Sequence, residues 1–207
     1  MAKVKFKSPV GELMWCFIAP GGTDTSVEKT GDPKAMKKVA NVVLKAGTPE
    51  LAQVQEQLKQ IWENFRESEG IKQVEPKSNG LKANTDKETG EPTGDYTLCF
   101  KTSATFKDGK DVKIPIYNAK GVEVDLGDKR IGNGSIGIIH GEAAIYEFGG
   151  KKGITLYLKA IQLVKYVEPD AGIDTEDLTV LYPDAWGEPF EAPEGGIAPV
   201  TTQGPEL

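Results

Sequence analysis

The chain has 207 residues and a mass of 22.3 kDa, with 38% hydrophobic residues, 24 Gly and 13 Pro. That balance suits a β-rich domain with many turns plus some unpacked sequence, and argues against a helical bundle or coiled coil. The net charge of −6 is uneven: residues 168–207 hold ten of the 31 acids and no Lys or Arg, which leaves 21 acids against 25 bases, a net of +4, in 1–167.

A mildly basic body followed by an acidic tail is a pattern of nucleic-acid binders, in which the tail mimics the polyanion. No run of about 18 apolar residues is present to span a bilayer. The N-terminal MAKVKFKSPVGEL lacks the apolar stretch of a secretory signal. Cys16 and Cys99 are expected to be buried thiols of a reducing cytoplasm rather than a disulfide.

In chain order, VKFKSPV (4–10) and LMWCFIA (13–19) read as short strands, followed by a Gly/Thr/Asp-rich loop to Pro33 and a strand at MKKVANVVLK (36–45). A helix follows over 49–68. Thr48 is its N-cap, Pro49 fits the first helical position, and Glu50 complements the dipole. Leu51, Val54, Leu58, Ile61 and Phe65, widened by Trp62, make its packing stripe, and Gly70 closes it. Residues 71–94 read as a long polar loop.

DYTLCFKTSATFK (95–107) alternates, with Tyr96, Leu98, Phe100, Ala104 and Phe106 on the apolar face and Lys101 and Lys107 outward. Asp108-Gly109 turns into VKIPIY (112–117), which Pro115 demotes to an edge or bulge. Gly132-Asn133-Gly134 marks another turn. SIGIIHGEAAIYEF (135–148) and ITLYLKAIQLVKYV (154–167) form a hairpin, with Gly137 and Gly141 suited to a bent strand. Together these predict a small OB-type Greek-key barrel with one inserted helix, the alternative being a β-sandwich. The domain is expected to end at residue 167. Residues 168–207, with six prolines, are expected to be a flexible tail. Its aromatics Tyr182, Trp186 and Phe190, four residues apart, suggest a docking segment for a partner.

Catalytic constellations are missing from the pattern. His140 is the lone histidine and lies within a strand, no Cys-x-x-Cys spacing suits zinc, and no Walker A motif occurs. Residues 132–137 fit G-x-G-x-x-G, but a strand rather than a helix follows, so they read as a turn and a bent strand. The chain is therefore expected to be no enzyme and to need no cofactor or metal.

The bases comprise 23 Lys and only two Arg, Arg66 and Arg130, which suits phosphate contacts without sequence preference. Sequence-tolerant binding of single strands also needs rings on which bases stack. If Ile139, Ala143 and Ile145 face the core, then His140, Tyr146 and Phe148 face outward together. If not, Tyr146 and Phe148 are core. The strand carrying Trp15 and Phe17 has no readable orientation, because Met14, Cys16 and Ile18 are equally apolar.

The segments MAKVKF, WCFIAP, GDPKAMKKV, FKTSATFKDGK, IPIYNAKG and IGNGS, and the final YEF…LYLKAIQLVKYVE hairpin, occur in an order that resembles the bacteriophage single-stranded-DNA-binding proteins of the T-odd coliphage replication type and their relatives in other tailed phages. The resemblance implies an OB-fold in the host cytoplasm, with roles in replication, recombination and strand annealing. It also implies a tail that competes with DNA and docks replication proteins such as the polymerase and helicase-primase, and it is compatible with a homodimer. By position it places basic DNA contacts near Lys3, Lys34 and Lys101, a further basic position on His140, and an aromatic platform at Tyr146 with Phe148 beside it. The expected DNA contacts are Lys3, Trp15, Phe17, Lys34, Lys101, Lys107, His140, Tyr146 and Phe148. The rivals are a β-rich protein-interaction or virion structural domain, an enzyme of unknown type, and a binder of duplex DNA or RNA. The acid-rich helix 49–68 disfavours the last.

Overall fold

The computed structural model describes residues 3–19, 36–127 and 129–169. The strands are β1 (Lys3–Lys7), β2 (Gly11–Phe17), β3 (Lys37–Leu44), β4 (Leu81–Thr85), β5 (Pro92–Ser103), β6 (Ile116–Tyr117), β7 (Glu123–Val124), β8 (Ser135–Phe148) and β9 (Lys151–Lys165), with apolar–polar alternation clearest in β5 and β8. One helix, α1 (Pro49–Glu69), lies between β3 and β4. Pairing runs β8-β2-β3-β5-β9, and β9 pairs back onto β8, so five strands close a barrel. All contacts in this circuit are antiparallel except β5–β9, which are parallel through Phe100 and Leu156. This is the OB-type Greek-key barrel expected from the sequence. β1 extends the sheet beside β8, β4 lies beside β5, and β6 and β7 continue beyond β9.

The β5–β9 seam is thin and is sealed by the segment before β4. Cys99 N–H donates to Gly80 O at 2.8 Å and Ile154 N–H to Ser78 O at 2.7 Å. Residues 71–94 are therefore not one long loop: they contain β4 and the start of β5. The composition hid this because the strand partners there are polar and exposed.

Inside the barrel, Leu13, Ala40, Val42, Leu98, Phe100, Ile139, Ala143, Leu156, Leu158 and Ile161 are all buried. Each large side chain among them contributes about 1.5–3 kcal/mol relative to exposure. Helix α1 joins this core through Leu51, Val54, Leu58, Ile61, Trp62 and Phe65. Its ends are those read from the sequence. Thr48 Oγ1 accepts from Leu51 N–H at 3.4 Å, and Gly70 sits at φ 63° with its N–H on Arg66 O. Trp62 Nε1–H donates to Val74 O at 2.7 Å, tying the following segment to the helix.

In β8, Ile139, Ala143 and Ile145 do face the core. Gly141 is required there, because a Cβ would lie 2.5 Å from Tyr157 O and 2.8 Å from the Phe100 ring. The register shift at His140/Gly141 skips Lys159 in β9, so β8 keeps its parity.

Two expectations fail beyond β5. The strand ends at Ser103, and Phe106 is 59% exposed in the hairpin 104–112 rather than in the core. VKIPIY contributes only Ile116–Tyr117 as strand, although Ile114 is buried. Lys38 is the converse surprise. It sits on the inward face of β3 at 1% exposure, with Nζ 2.6 Å from Asp111 Oδ2. A buried ammonium needs such a partner, and the pair pins the hairpin to the barrel.

Cys16 and Cys99 are both free thiols, as expected. Burial pushes Cys16 up to about 12, against a smaller opposite effect of its hydrogen bond to the Asn41 backbone. No helix among the described residues is long and apolar enough to cross a membrane. The barrel's last pairings reach Val167, whose N–H donates to Ser135 Oγ at 3.0 Å, and Glu168, whose Oε1 is 2.5 Å from Lys129 Nζ.

Candidate nucleic-acid interface

Directly opposed residues of an antiparallel pair point to the same side of the sheet. Phe17 opposes Val39 and Val39 opposes Lys101, so Phe17 and Lys101 share the outer face about 10 Å apart, two strand spacings. Lys37 opposes Ser103 in the neighbouring row, with Nζ 3.4 Å from Ser103 Oγ. Glu12, Val43, Thr97 and Lys82 form a further row across β2, β3, β5 and β4. Cys99 lies within this face. Burial raises its thiol, and the charges of Lys82 and Lys101 oppose that rise.

Trp15 and Phe17 both point out of the barrel, at 46% and 43% exposure, which settles the strand that the sequence left unoriented. A bulge between Met14 and Phe17 makes this possible. Trp15 has φ 48° and is the one non-glycine residue with positive φ among the described residues. Its N–H donates to Asn133 Oδ1 at 2.8 Å. The outer face of β2, β3, β4 and β5 thus carries two exposed rings and three lysines, Lys37, Lys82 and Lys101. Among the described residues none of these lysines pairs with a carboxylate.

Lys3, His140, Tyr146 and Phe148 are placed elsewhere. Lys3, Lys5 and Lys7 oppose Ala144, Glu142 and His140, on the outer side of β8 and β9. Those strands stand across the barrel from β3, so Lys3 and His140 face away from Phe17 and Lys101. Glu142 already sits between two of the cations, with Oε2 3.1 Å from Lys159 Nζ and 3.5 Å from Lys3 Nζ. The hydrogen bond from Lys159 is the largest influence and holds the Glu142 carboxyl below its usual range.

Tyr146 and Phe148 stand near the tip of the β8–β9 hairpin, and both are engaged. Tyr146 packs on Gly153, where a Cβ would lie 2.7 Å from the ring, and its hydroxyl is 2.8 Å from Ser78 Oγ. Phe148 is 70% exposed, but Lys77 Nζ lies 4.3 Å from its ring centroid. The segment from Lys77 to Lys82 runs from beneath this hairpin to the lysine face, so an outer-surface path joins the two.

Lys107 is exposed in the hairpin 104–112 beside Phe106, next to the start of β3, where Ala104 N–H donates to Met36 O at 3.0 Å. Lys34, Tyr182, Trp186 and Phe190 lie outside the described residues. Lys37, Lys82 and Asn133 were not singled out in the sequence. Parity with Lys101 through Val39 and Ser103 marks Lys37, whereas Lys82 was hidden in the supposed loop.

No family model matches the chain, and no curated protein matches it. Solved structures do. The single-stranded DNA binding protein gp2.5 encoded by bacteriophage T7 superposes with a TM-score of 0.54 at 19% identity, over 84% of this chain and 98% of that one. The single-stranded DNA-binding protein of bacteriophage Enc34 in complex with ssDNA gives 0.57 at 14% identity, over 81% and 89%. A C-terminal truncation of the Enc34 protein gives 0.55 at 14% identity, over 80% and 87%. The resemblance read in the sequence thus extends, at the level of the fold, to solved phage single-stranded-DNA-binding proteins.

Proposed function

We propose that the chain binds single-stranded DNA without sequence preference, on the outer face of β2, β3, β4 and β5. The observation that carries this is the side-by-side exposure of Trp15 and Phe17 with Lys37, Lys82 and Lys101. Rings stack on bases of any identity, and lysines neutralise phosphates. In OB barrels the second and third strands, here β3 and β5, and the loops at their ends hold oligonucleotides. Lys34 follows β2 in sequence, outside the described residues, and the β8–β9 hairpin carries Phe148 and Lys151. Both flank the face in that scheme. The solved neighbours that bind single strands support the same reading.

The wider role is replication, recombination and strand annealing in the host cytoplasm, with residues 168–207 competing for the DNA face and docking replication proteins through Tyr182, Trp186 and Phe190. The acidic composition of the tail supports this. So does its point of departure: Gly132 is packed so closely on Glu168 that a Cβ would lie 2.6 Å from the Glu168 backbone, one residue from the Asn133 that holds Trp15.

The test is titration of a labelled oligothymidine by fluorescence anisotropy at several salt concentrations. Trp15→Ala and Phe17→Ala should each cost about 1–3 kcal/mol of binding. Lys101→Ala should flatten the logarithmic salt dependence by about 0.7. Removing 170–207 should tighten binding most at low salt. Full affinity in a Trp15→Ala/Phe17→Ala chain would refute the site.

A further inference from the structure

We propose that Asn133, in the Gly132-Asn133-Gly134 turn, is a positioning residue that turns the rings of Trp15 and Phe17 onto the outer face. The inference rests on the single-strand reading and specifies what sets up that face. Leu13 points into the barrel and opposes Val42. Strict alternation would then send residues 15 and 17 inward with it. Instead Phe17 opposes Val39, an outer position, so one residue of β2 has been absorbed between them. That residue lies in the bulge at Trp15, whose φ of 48° is a conformation that bulky side chains rarely hold without outside support.

The support is visible. A bulge breaks the ladder and leaves its backbone groups needing partners. Trp15 N–H donates to Asn133 Oδ1 at 2.8 Å, across 118 residues of sequence. Gly134 N–H donates to Leu13 O at 3.2 Å, and the buried Asn41 donates from Nδ2 to Met14 O at 3.2 Å. Asn133 is the exposed member of this set and bonds to the strained residue itself. Its role explains a glycine-flanked turn that fits no dinucleotide site.

The experiment compares Asn133→Ala in the full chain and in the Trp15→Ala/Phe17→Ala chain, titrating oligothymidine and following amide exchange of residues 13–19. In the otherwise intact chain, Asn133→Ala should weaken binding at least about 5-fold, the lower bound for one lost stack. It should also speed exchange at Trp15 while Leu13 stays protected. In the ring-less chain the same substitution should change affinity less than about 2-fold. Unchanged affinity and unchanged Trp15 exchange would overturn the proposal, and so would an equal loss in both backgrounds, which would mean that Asn133 touches DNA itself. If the ring-less chain binds like the intact one, the proposed interface fails instead. The exchange readout is local, so it still decides whether Asn133 holds the bulge should Asn133→Ala lower the melting temperature.

Discussion

The pair of buried Lys38 with surface Asp111 offers the sharpest test of the packing. Lys38 is 1% exposed and the Asp111 side chain 36% exposed, with 2.6 Å between Nζ and Oδ2. Asp111→Ala leaves an ammonium in the interior without its carboxylate. Breaking a fully buried pair costs about 3–5 kcal/mol. Because Asp111 is partly wetted, the lower end applies after allowance for screening, about 2–3 kcal/mol. For a chain of this size that is roughly 4–12 °C in melting temperature. Lys38→Met removes the buried charge and leaves a carboxylate that water can reach, so it should cost less. The double variant Lys38→Met/Asp111→Ala should lose less than the sum of the two single variants, since an apolar side chain at position 38 no longer needs the carboxylate. Calorimetry on the four proteins gives the coupling directly. Additive losses, or an Asp111→Ala protein melting within about 1 °C of the parent, would refute the claim that the pair holds the 104–112 hairpin to the barrel.

Gly141→Ala should destabilise by about 1–3 kcal/mol, because the new methyl meets the Tyr157 carbonyl and the Phe100 ring; a melting curve coincident with the parent's would contradict the close strand approach. Trp15→Gly should melt no lower than Trp15→Ala, since glycine avoids a left-handed penalty of about 1–2 kcal/mol that outweighs its ~0.5–1 kcal/mol of extra chain entropy; a clearly lower midpoint would remove the strain. Glu142 has its folded pKa below its ordinary unfolded value, chiefly through the hydrogen bond from Lys159. Its contribution is complete above that unfolded value and disappears as pH falls through the folded one. Melting of Glu142→Gln against the parent should therefore show a gap at neutral pH that closes below about pH 4.5, and a gap that widens on acidification would reverse the assignment.

The barrel was legible because its signals are local and redundant. Leu98, Phe100, Ile139, Ala143 and Ile145 alternate cleanly, and Thr48, Pro49 and Gly70 bracket the helix. The seam strand was not legible. Residues 77–85 pair through backbone groups, and their side chains carry almost no apolar period. Phe106 misled because the alternation continues three residues past the end of β5, where Ala104 is still buried but the hairpin turns the Phe106 ring outward. Of the candidate site, the outward direction of Lys101 could be read from alternation, whereas for His140, Tyr146 and Phe148 alternation showed that they share a face without saying which one is outside. The direction of Trp15 and Phe17 could not, because it depends on a hydrogen bond to a residue 118 positions away. No period in β2 encodes that contact.

Both sides of the barrel carry lysines, and what decides between them is which charges and rings are already committed. On the β8–β9 side, Glu142 pairs with both Lys3 and Lys159, Lys3 also lies 5.3 Å from the Tyr157 ring centroid, and the Tyr146 hydroxyl is 2.8 Å from Ser78 Oγ. A phosphate arriving there competes with a carboxylate already held, and a base competes with contacts already made. On the β2–β5 side, Lys37 meets the Ser103 hydroxyl and no carboxylate among the described residues, Lys82 and Lys101 act on the half-buried thiol of Cys99, and the two rings stand beside them. A polyanion there meets three lysines that hold no carboxylate among the described residues, which suits salt-sensitive, sequence-tolerant binding. The Lys77–Phe148 contact lies between these extremes. A cation on one face of a ring leaves the other face open. The β8–β9 hairpin therefore suits the margin of the proposed interface, and its centre is assigned to the strands that carry Phe17 and Lys101.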